Sequence, residues 1–238
     1  MAAGRQVKRR ILALGLSCLA AATHVVEAAV PAASLSPAAQ DILRSARLNE
    51  SGQHRVLDGH LRQGAEIVPF RLVFDGGLIR YEFSNPPEAL VVRLWERGSH
   101  LEEVTKSGDQ QILQAQFDKK VRGTDITYED IALKFLYWPK AVLQGEETML
   151  TRRCWKLLLQ PGVPGESQYG TVMLWVEKES GAFLQADAYD RAGKLVKRFK
   201  VISAQRINGE WILKKMRIER LDSEDDTPTY LEIEGVEK

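Results

Sequence analysis

Val68-Pro69-Phe70-Arg71-Leu72-Val73-Phe74-Asp75-Gly76-Gly77-Leu78-Ile79-Arg80-Tyr81-Glu82-Phe83 is the stretch that decides the fold class. Val68, Phe70, Leu72 and Phe74 alternate with Pro69, Arg71 and Val73, a period of two that puts one apolar set on one face of a strand. Ile79, Tyr81 and Phe83 resume the alternation against Arg80 and Glu82. Asp75-Gly76-Gly77 between them is a hairpin turn signal, and strands joined this closely are antiparallel neighbours.

The same pattern extends both ways. Upstream, Leu57, Gly59 and Leu61 alternate with Val56, Asp58, His60 and Arg62. Downstream, a Pro86-Pro87 break precedes strands near Ala89 to Glu96 and Leu101 to Val104. After the middle of the chain, strands are predicted at Cys154 to Gln160, Tyr169 to Lys178, Phe183 to Tyr189, Leu195 to Ser203, Trp211 to Leu221 and Thr229 to Gly235. Short turns such as Asp190-Arg191-Ala192-Gly193 and Asn208-Gly209 join them into a meander. In Tyr169 to Lys178 both alternating sets are mostly apolar, which predicts cover on both faces.

Two stretches have a helical character. Pro37 to Glu50 sets Ala38, Ile42, Ala46 and Leu48 against Gln40, Asp41, Arg44 and Arg47. In Thr124 to Trp138, Thr127 can cap a helix whose first turn carries Glu129 and Asp130, and Pro139 stops it. The fold class expected is mostly β (α+β): one strongly curved antiparallel sheet of about ten strands, covered by an N-terminal and a mid-chain helix.

The 238 residues carry a net charge of +1 and are 44% hydrophobic, an ordinary globular composition. That charge balance argues against a dedicated nucleic-acid binder. The N-terminus reads separately: Arg5, Lys8, Arg9 and Arg10, then an apolar run from Ile11 to Ala22, then a small-residue exit at Val26 and Ala28. This is a secretory signal pattern, too short in its apolar run to span a bilayer. Residues 1–28 are read as a cleavable signal and 29–238 as the exported domain. An uncleaved anchor is one alternative. Lipidation at Cys18 is another, but Gly15 stands where a lipobox has Leu, and the apolar run continues past the cysteine. Removing four of 33 basic and one of 32 acidic residues leaves the mature chain at −2. Cys154 then has no partner for an internal disulfide, and reads as a small buried hydrophobe.

Sharp catalytic signatures are missing: no Gly-rich phosphate loop, no Gly-x-Ser-x-Gly elbow, no His-Glu-x-x-His and no Cys-x-x-Cys. No catalytic residue, metal ligand or cofactor is expected, and the chain is read as not an enzyme. His54 and His60 share strand parity but stand about 20 Å apart, too far for one metal. The acidic run Asp222 to Asp226 lacks the turn glycine of a calcium loop and reads as a solvated hairpin tip. Lys194, Lys197, Arg198 and Lys200 beside Lys214, Lys215 and Arg217 read either as a charged outer face or as a patch for anionic headgroups. The apolar surplus is more informative. Phe70, Leu72, Phe74, Tyr81 and Phe83, with Leu133, Leu136, Met173, Trp175 and Trp211, are the candidate lining of an interior. Side chains could fill that interior, or it could hold a lipid-like guest.

Gly123-Thr124-Asp125-Ile126-Thr127-Tyr128-Glu129-Asp130 comes first in a series of familiar pieces. Tyr169 through Trp175-Val176 and Gly181 follow, then Ala188-Tyr189-Asp190, Gly193-Lys194-Leu195 and Gly209-Glu210-Trp211. In this order and spacing the stretch resembles the outer-membrane lipoprotein-sorting, LolA-like family. The resemblance implies an incomplete β-barrel closed by helices around a hydrophobic cavity. It further implies a periplasmic carrier of lipoprotein acyl chains or other lipids, moving them towards the outer membrane through transient contact with membrane transport or acceptor proteins. It also implies an arginine that helps hold the lid, a role not assigned among Arg44, Arg47 and Arg71. The alternative reading is a non-catalytic envelope docking or regulatory protein with a filled core. A hydrolase of envelope lipids is a further rival, and the missing motifs argue against it.

Overall fold

The structure, a computed structural model, describes residues 37–51, 54–105, 108–113, 116–207, 209–224 and 227–236. The expected signal segment, Cys18 and the lead-in to Ser36 lie outside these residues, as do Asp225 and Asp226 of the acidic run. No helix among the described residues is long and apolar enough to cross a membrane.

Helix α1 (Ala39–Ser51) leads into six strands: β1 (His54–Gln63), β2 (Glu66–Asp75), β3 (Leu78–Phe83), β4 (Glu88–Trp95), β5 (Gly98–Thr105) and β6 (Gly108–Gln111). A covering segment follows, made of helix α2 (Tyr128–Ile131) and a 3₁₀ turn (Lys134–Tyr137). Seven strands close the chain: β7 (Lys140–Met149), β8 (Arg152–Gln160), β9 (Thr171–Glu177), β10 (Phe183–Tyr189), β11 (Leu195–Ile207), β12 (Glu210–Arg220) and β13 (Thr229–Val236). All pair in one antiparallel sheet of order β6-β5-β4-β3-β2-β1-β13-β12-β11-β10-β9-β8-β7. The sheet is therefore two meanders sewn together where β1 meets β13. Among the described residues its end strands, β6 and β7, do not pair, so the sheet does not close into a barrel. Bulges at Asp58/Gly59, Leu143/Gly145, Ala188/Tyr189 and Val201 to Ala204 add local bend and twist.

The expected hairpin forms at Gly76-Gly77, and its register places Phe70 opposite Phe83, Leu72 opposite Tyr81 and Phe74 opposite Ile79. The described residues form thirteen strands rather than about ten. The main omission is β7, whose Gly145 sits at φ 139 and whose Glu146-Glu147 pair imitates a loop. It is an edge strand, and charge on an edge keeps other chains from adding to it.

One face of the sheet buries the core. Leu57, Leu61, Leu72, Leu90, Val92 and Leu101 line it on the first meander, with Leu157, Leu159, Val172, Leu174, Ala186, Phe199 and Ile218 on the second. Ile42, Leu43 and Ala46 of α1 join the same cluster, as do Tyr128, Ile131, Ala132, Phe135, Leu136 and Trp138 of the covering segment.

Candidate functional site

The covering segment is where the structure departs most from the single helix expected from Thr127 to Trp138. Thr127 caps α2 as expected, and Asp130 completes the box: Thr127 Oγ1 accepts from the Asp130 amide, and Asp130 Oδ2 accepts from the Thr127 amide at 2.8 Å. The helix then ends after one turn. Leu133 takes a left-handed conformation (φ 49, ψ 35), and a 3₁₀ turn restarts the chain in a new phase. That reset sends Phe135, Leu136 and Trp138 into the core while Lys134 and Tyr137 stay half-exposed.

The two halves of this cover are held in different ways. Beneath the first lies a buried polar network. Lys197, from the inner face of β11, donates to Asp130 Oδ2 at 2.7 Å, and Tyr169 OH donates to Asp130 Oδ1 at 2.6 Å. Gln168 Nε2 donates to Thr127 Oγ1 at 2.8 Å. Glu129 accepts from the Ser167 hydroxyl and from the Gln168 amide. Burial raises the Glu129 carboxyl above the ordinary carboxylate range, against the opposing effect of its two donors. Burial, reinforced by the Asp130 charge, also holds the Tyr169 phenol protonated, so it serves as a donor. A second cluster fixes the chain just before the cap. Asp125 accepts from Gln63 and Lys120, each at 3.0 Å, while its amide donates to Thr229 Oγ1 at 3.1 Å.

The second half is tied mainly from α1. Arg47 Nε donates to the Leu136 carbonyl at 2.6 Å, its guanidinium lies 5.1 Å from the Tyr137 ring centroid, and Gln40 Nε2 donates to the Pro139 carbonyl at 2.8 Å. Two cavities flank this half and share Ser99 and Lys134. One, of about 210 Å³, is walled by Leu101, Ile112, Phe117 and Ala132. The other, of about 350 Å³, is walled by Arg97, Tyr137, Trp138 and Glu166.

The structure brings together most of the sequence-derived lining. Phe70, Leu72, Phe83 and Leu136 are buried in the core, and Phe74, Tyr81 and Leu133 pack against it. Phe70 packs edge-on with Tyr81 and Phe83, at centroid distances of 5.8 and 6.4 Å. Met173, Trp175 and Trp211 are not in that cluster. The inward set of β9 is Val172, Leu174 and Val176, so Met173 and Trp175 have the opposite parity. Trp175 instead donates Nε1 to Glu147 at 3.0 Å and lies under the Lys156 ammonium. Trp211 is 64% exposed, near the turn of the β11–β12 hairpin.

The basic cluster of β11 and β12 does not form a uniform patch. Lys197 is buried on Asp130, Arg198 clamps Asp187 through two bonds of 2.8 and 2.7 Å, Lys215 pairs with Glu232, and Arg217 pairs with Glu219. Cys154 is buried, and burial raises its thiol pKa. Among the described residues, no three His, Cys, Asp or Glu side chains converge as a metal cluster.

Comparison with known proteins places this architecture. A family model described as an uncharacterized protein matches residues 110–238, which include the cover and the second meander. No curated protein matches the chain. A solved domain described as an outer membrane lipoprotein-sorting protein from Vibrio parahaemolyticus is similar with a TM-score of 0.69 at 14% identity, over 84% of this chain and 91% of that one. A DUF1329 family protein from Desulfovibrio piger gives 0.65 at 21% identity, over 82% and 90%. A LolA superfamily protein from Nitrosomonas europaea gives 0.64 at 18%, over 85% and 95%. At these identities the likeness shows a shared fold.

Proposed function

The chain belongs to the uncharacterized-protein family whose model matches residues 110–238, and from that membership and its lipoprotein-sorting fold we propose that it is a periplasmic carrier. It binds acyl chains of lipoproteins or other lipids without catalysis and moves them towards the outer membrane. The exported form is residues 29–238 after loss of the signal, and it makes transient contact with membrane transport or acceptor proteins.

The observation that carries this reading is the unequal cover. Its first half is anchored through buried ionic and hydroxyl contacts, whereas its second half restarts at Leu133, takes its polar ties mainly from Arg47 and Gln40, and is otherwise held by the apolar packing of Phe135, Leu136 and Trp138. When the second half lifts, Phe135 leaves the Phe183 and Phe199 rings, and with Leu136 and Trp138 it vacates apolar space in the core cluster that also holds Phe70, Leu72 and Phe83, space an acyl chain can fill. Each methylene buried there contributes about 0.8 kcal/mol, enough to hold a lipid with no chemistry. Release follows when an acceptor binds the chain more tightly, or when the cover closes again.

A second reading, an envelope docking protein with a permanently filled core, is favoured by the interior with its cover shut: Leu61, Ile79, Leu90, Leu101, Leu136 and Leu174 are all fully buried. Native mass spectrometry of protein purified from the periplasm separates the two. Retained lipid is the expected result, and a bound protein partner without lipid would favour docking instead. Arg47→Met tests the hinge. It should speed hydrogen exchange at the Leu136 and Trp138 amides by about tenfold, the scale of one lost charge-assisted hydrogen bond, while Ile131 and Ala132 keep their protection. Equal acceleration in both halves would mean that the cover moves as one piece.

A further inference from the structure

The wall shared by the two cavities carries two polar groups that the fold leaves unused. Ser99 Oγ is buried and has no hydrogen-bond partner among the described residues, although a buried hydroxyl is costly to leave unpaired. Its neighbour in β5, Leu101, has the same parity and belongs to the core, so Ser99 stands on the inner face of the sheet. Lys134 faces it from the 3₁₀ half of the cover. Its ammonium lies 4.0 Å from the Phe117 ring centroid, and among the described residues no carboxylate comes within ion-pairing distance. Burial lowers its pKa, with the more distant charges of Glu129 and Glu166 opposing. Glu166, the acid of the second cavity, already accepts from the Gly162 amide. Arg97 adds another cation to that cavity. Beyond the shared wall the first cavity, of about 210 Å³, is mostly apolar: Leu101, Ile112, Phe117 and Ala132 line it, with His100, which lies 3.5 Å from Glu102, as its other polar residue.

A hydroxyl and a cation that have no hydrogen-bond partner and no counter-ion among the described residues, on the wall of a mostly apolar pocket, suit an amphiphile with an anionic head. Building on the proposed carrier function, we infer that Ser99 and Lys134 form the head-group site of a single-chain anionic lipid with a carboxylate head. Its tail enters the cavity under Leu101 and Phe117. The head accepts hydrogen bonds from the Lys134 ammonium and the Ser99 hydroxyl, which satisfies both. Because Lys134 sits on the hinged half of the cover, the head group bridges that half to β5, so bound ligand holds the cover shut.

Isothermal titration of the delipidated protein with decanoate, decanol and acetate tests this. Decanoate should bind about tenfold tighter than decanol, the scale of one charge-assisted hydrogen bond, and acetate should bind far more weakly than either. Lys134→Met should bring decanoate and decanol to parity. Ser99→Ala, a small change that leaves no hydroxyl to satisfy, should weaken decanoate more than decanol. Unchanged thermal melting of both variants would show that the fold is intact. Equal binding of decanoate and decanol by the parent protein, or a preference that survives in Lys134→Met, would overturn the head-group site while leaving acyl binding in place. Acetate bound as tightly as decanoate would mark a free-anion site and overturn the amphiphile. If neither chain bound, and native mass spectrometry found no retained lipid, the head-group site and the carrier reading would fall together.

Discussion

Asp130→Ala is expected to lower folding stability by about 3–5 kcal/mol, because it leaves half of a buried ion pair behind. The Lys197 and Asp130 side chains are only 5% and 1% exposed, so the stranded ammonium has no water to turn to. The same substitution removes the acceptor of the Tyr169 phenol and one arm of the capping box on α2. In a domain of this size each kcal/mol shifts the melting temperature by about 2–4 °C, so a fall of about 6–20 °C should appear in a thermal scan. The double variant Asp130→Asn with Lys197→Met should recover much of the loss, since an amide still accepts from the Thr127 backbone and no charge is left alone. Asp41→Ala, which removes an exposed ion pair with Arg44, should cost no more than about 0.5 kcal/mol. If Asp130→Ala cost no more than that control, the first half of the cover would not be anchored. The division into a fixed half and a moving half would then fail.

Lys197 also shows where sequence reasoning reached its limit. Strand alternation was plain wherever one set of residues was polar: β2 and β3 could be placed face by face, and Gly76-Gly77 marked their turn. Thr127 announced the helix start for the same local reason, a hydroxyl three residues before Asp130. On β11 the inward set is Lys197, Phe199 and Val201, so one cation stands among apolar residues. Taken with its neighbours it looked like surface charge, because its counter-ion comes from a helix 67 residues away. Strand β9 was ambiguous for the opposite reason. Both of its sets are apolar, so its own sequence could not assign Met173 and Trp175 a face. The register supplies what was missing: Gln185 and Asp187 of β10 alternate with Ala186 and Ala188, and pairing Ala186 with Leu174 carries that parity across. The break at Leu133 had no local signal, since leucine is a good helix former; packing of Phe135 and Leu136 into the core overrode the propensity. Trp211 was misleading because the long β11–β12 hairpin sets it near its turn, where an aromatic residue is left exposed.

Gly59→Ala is expected to cost about 3 kcal/mol through a clash rather than a lost contact. Gly59 lies at the bulge where β1 meets β13, the single seam joining the two meanders. A Cβ built there would come within 2.4 Å of the Glu232 carbonyl oxygen and 3.0 Å of the Phe70 ring. The first neighbour is backbone and cannot swing aside, so the strands must part. The second is the ring that packs against Tyr81 and Phe83 in the proposed acyl-chain floor. The glycine is therefore required by close approach, as strand glycines often are, and not by an unusual φ. Gly235→Ala is the matched control, on the partner strand of the same seam: its Cβ would meet nothing within 4 Å, and alanine in a strand is no worse than glycine, so stability should hold or rise slightly. Urea unfolding of the two variants side by side measures the difference directly. A large loss at Gly59 alone would mean that the curvature of the sheet depends on how closely β13 and Phe70 approach β1. Equal, small effects would mean the seam has slack, and the bend would then have to come from the bulges in the second meander.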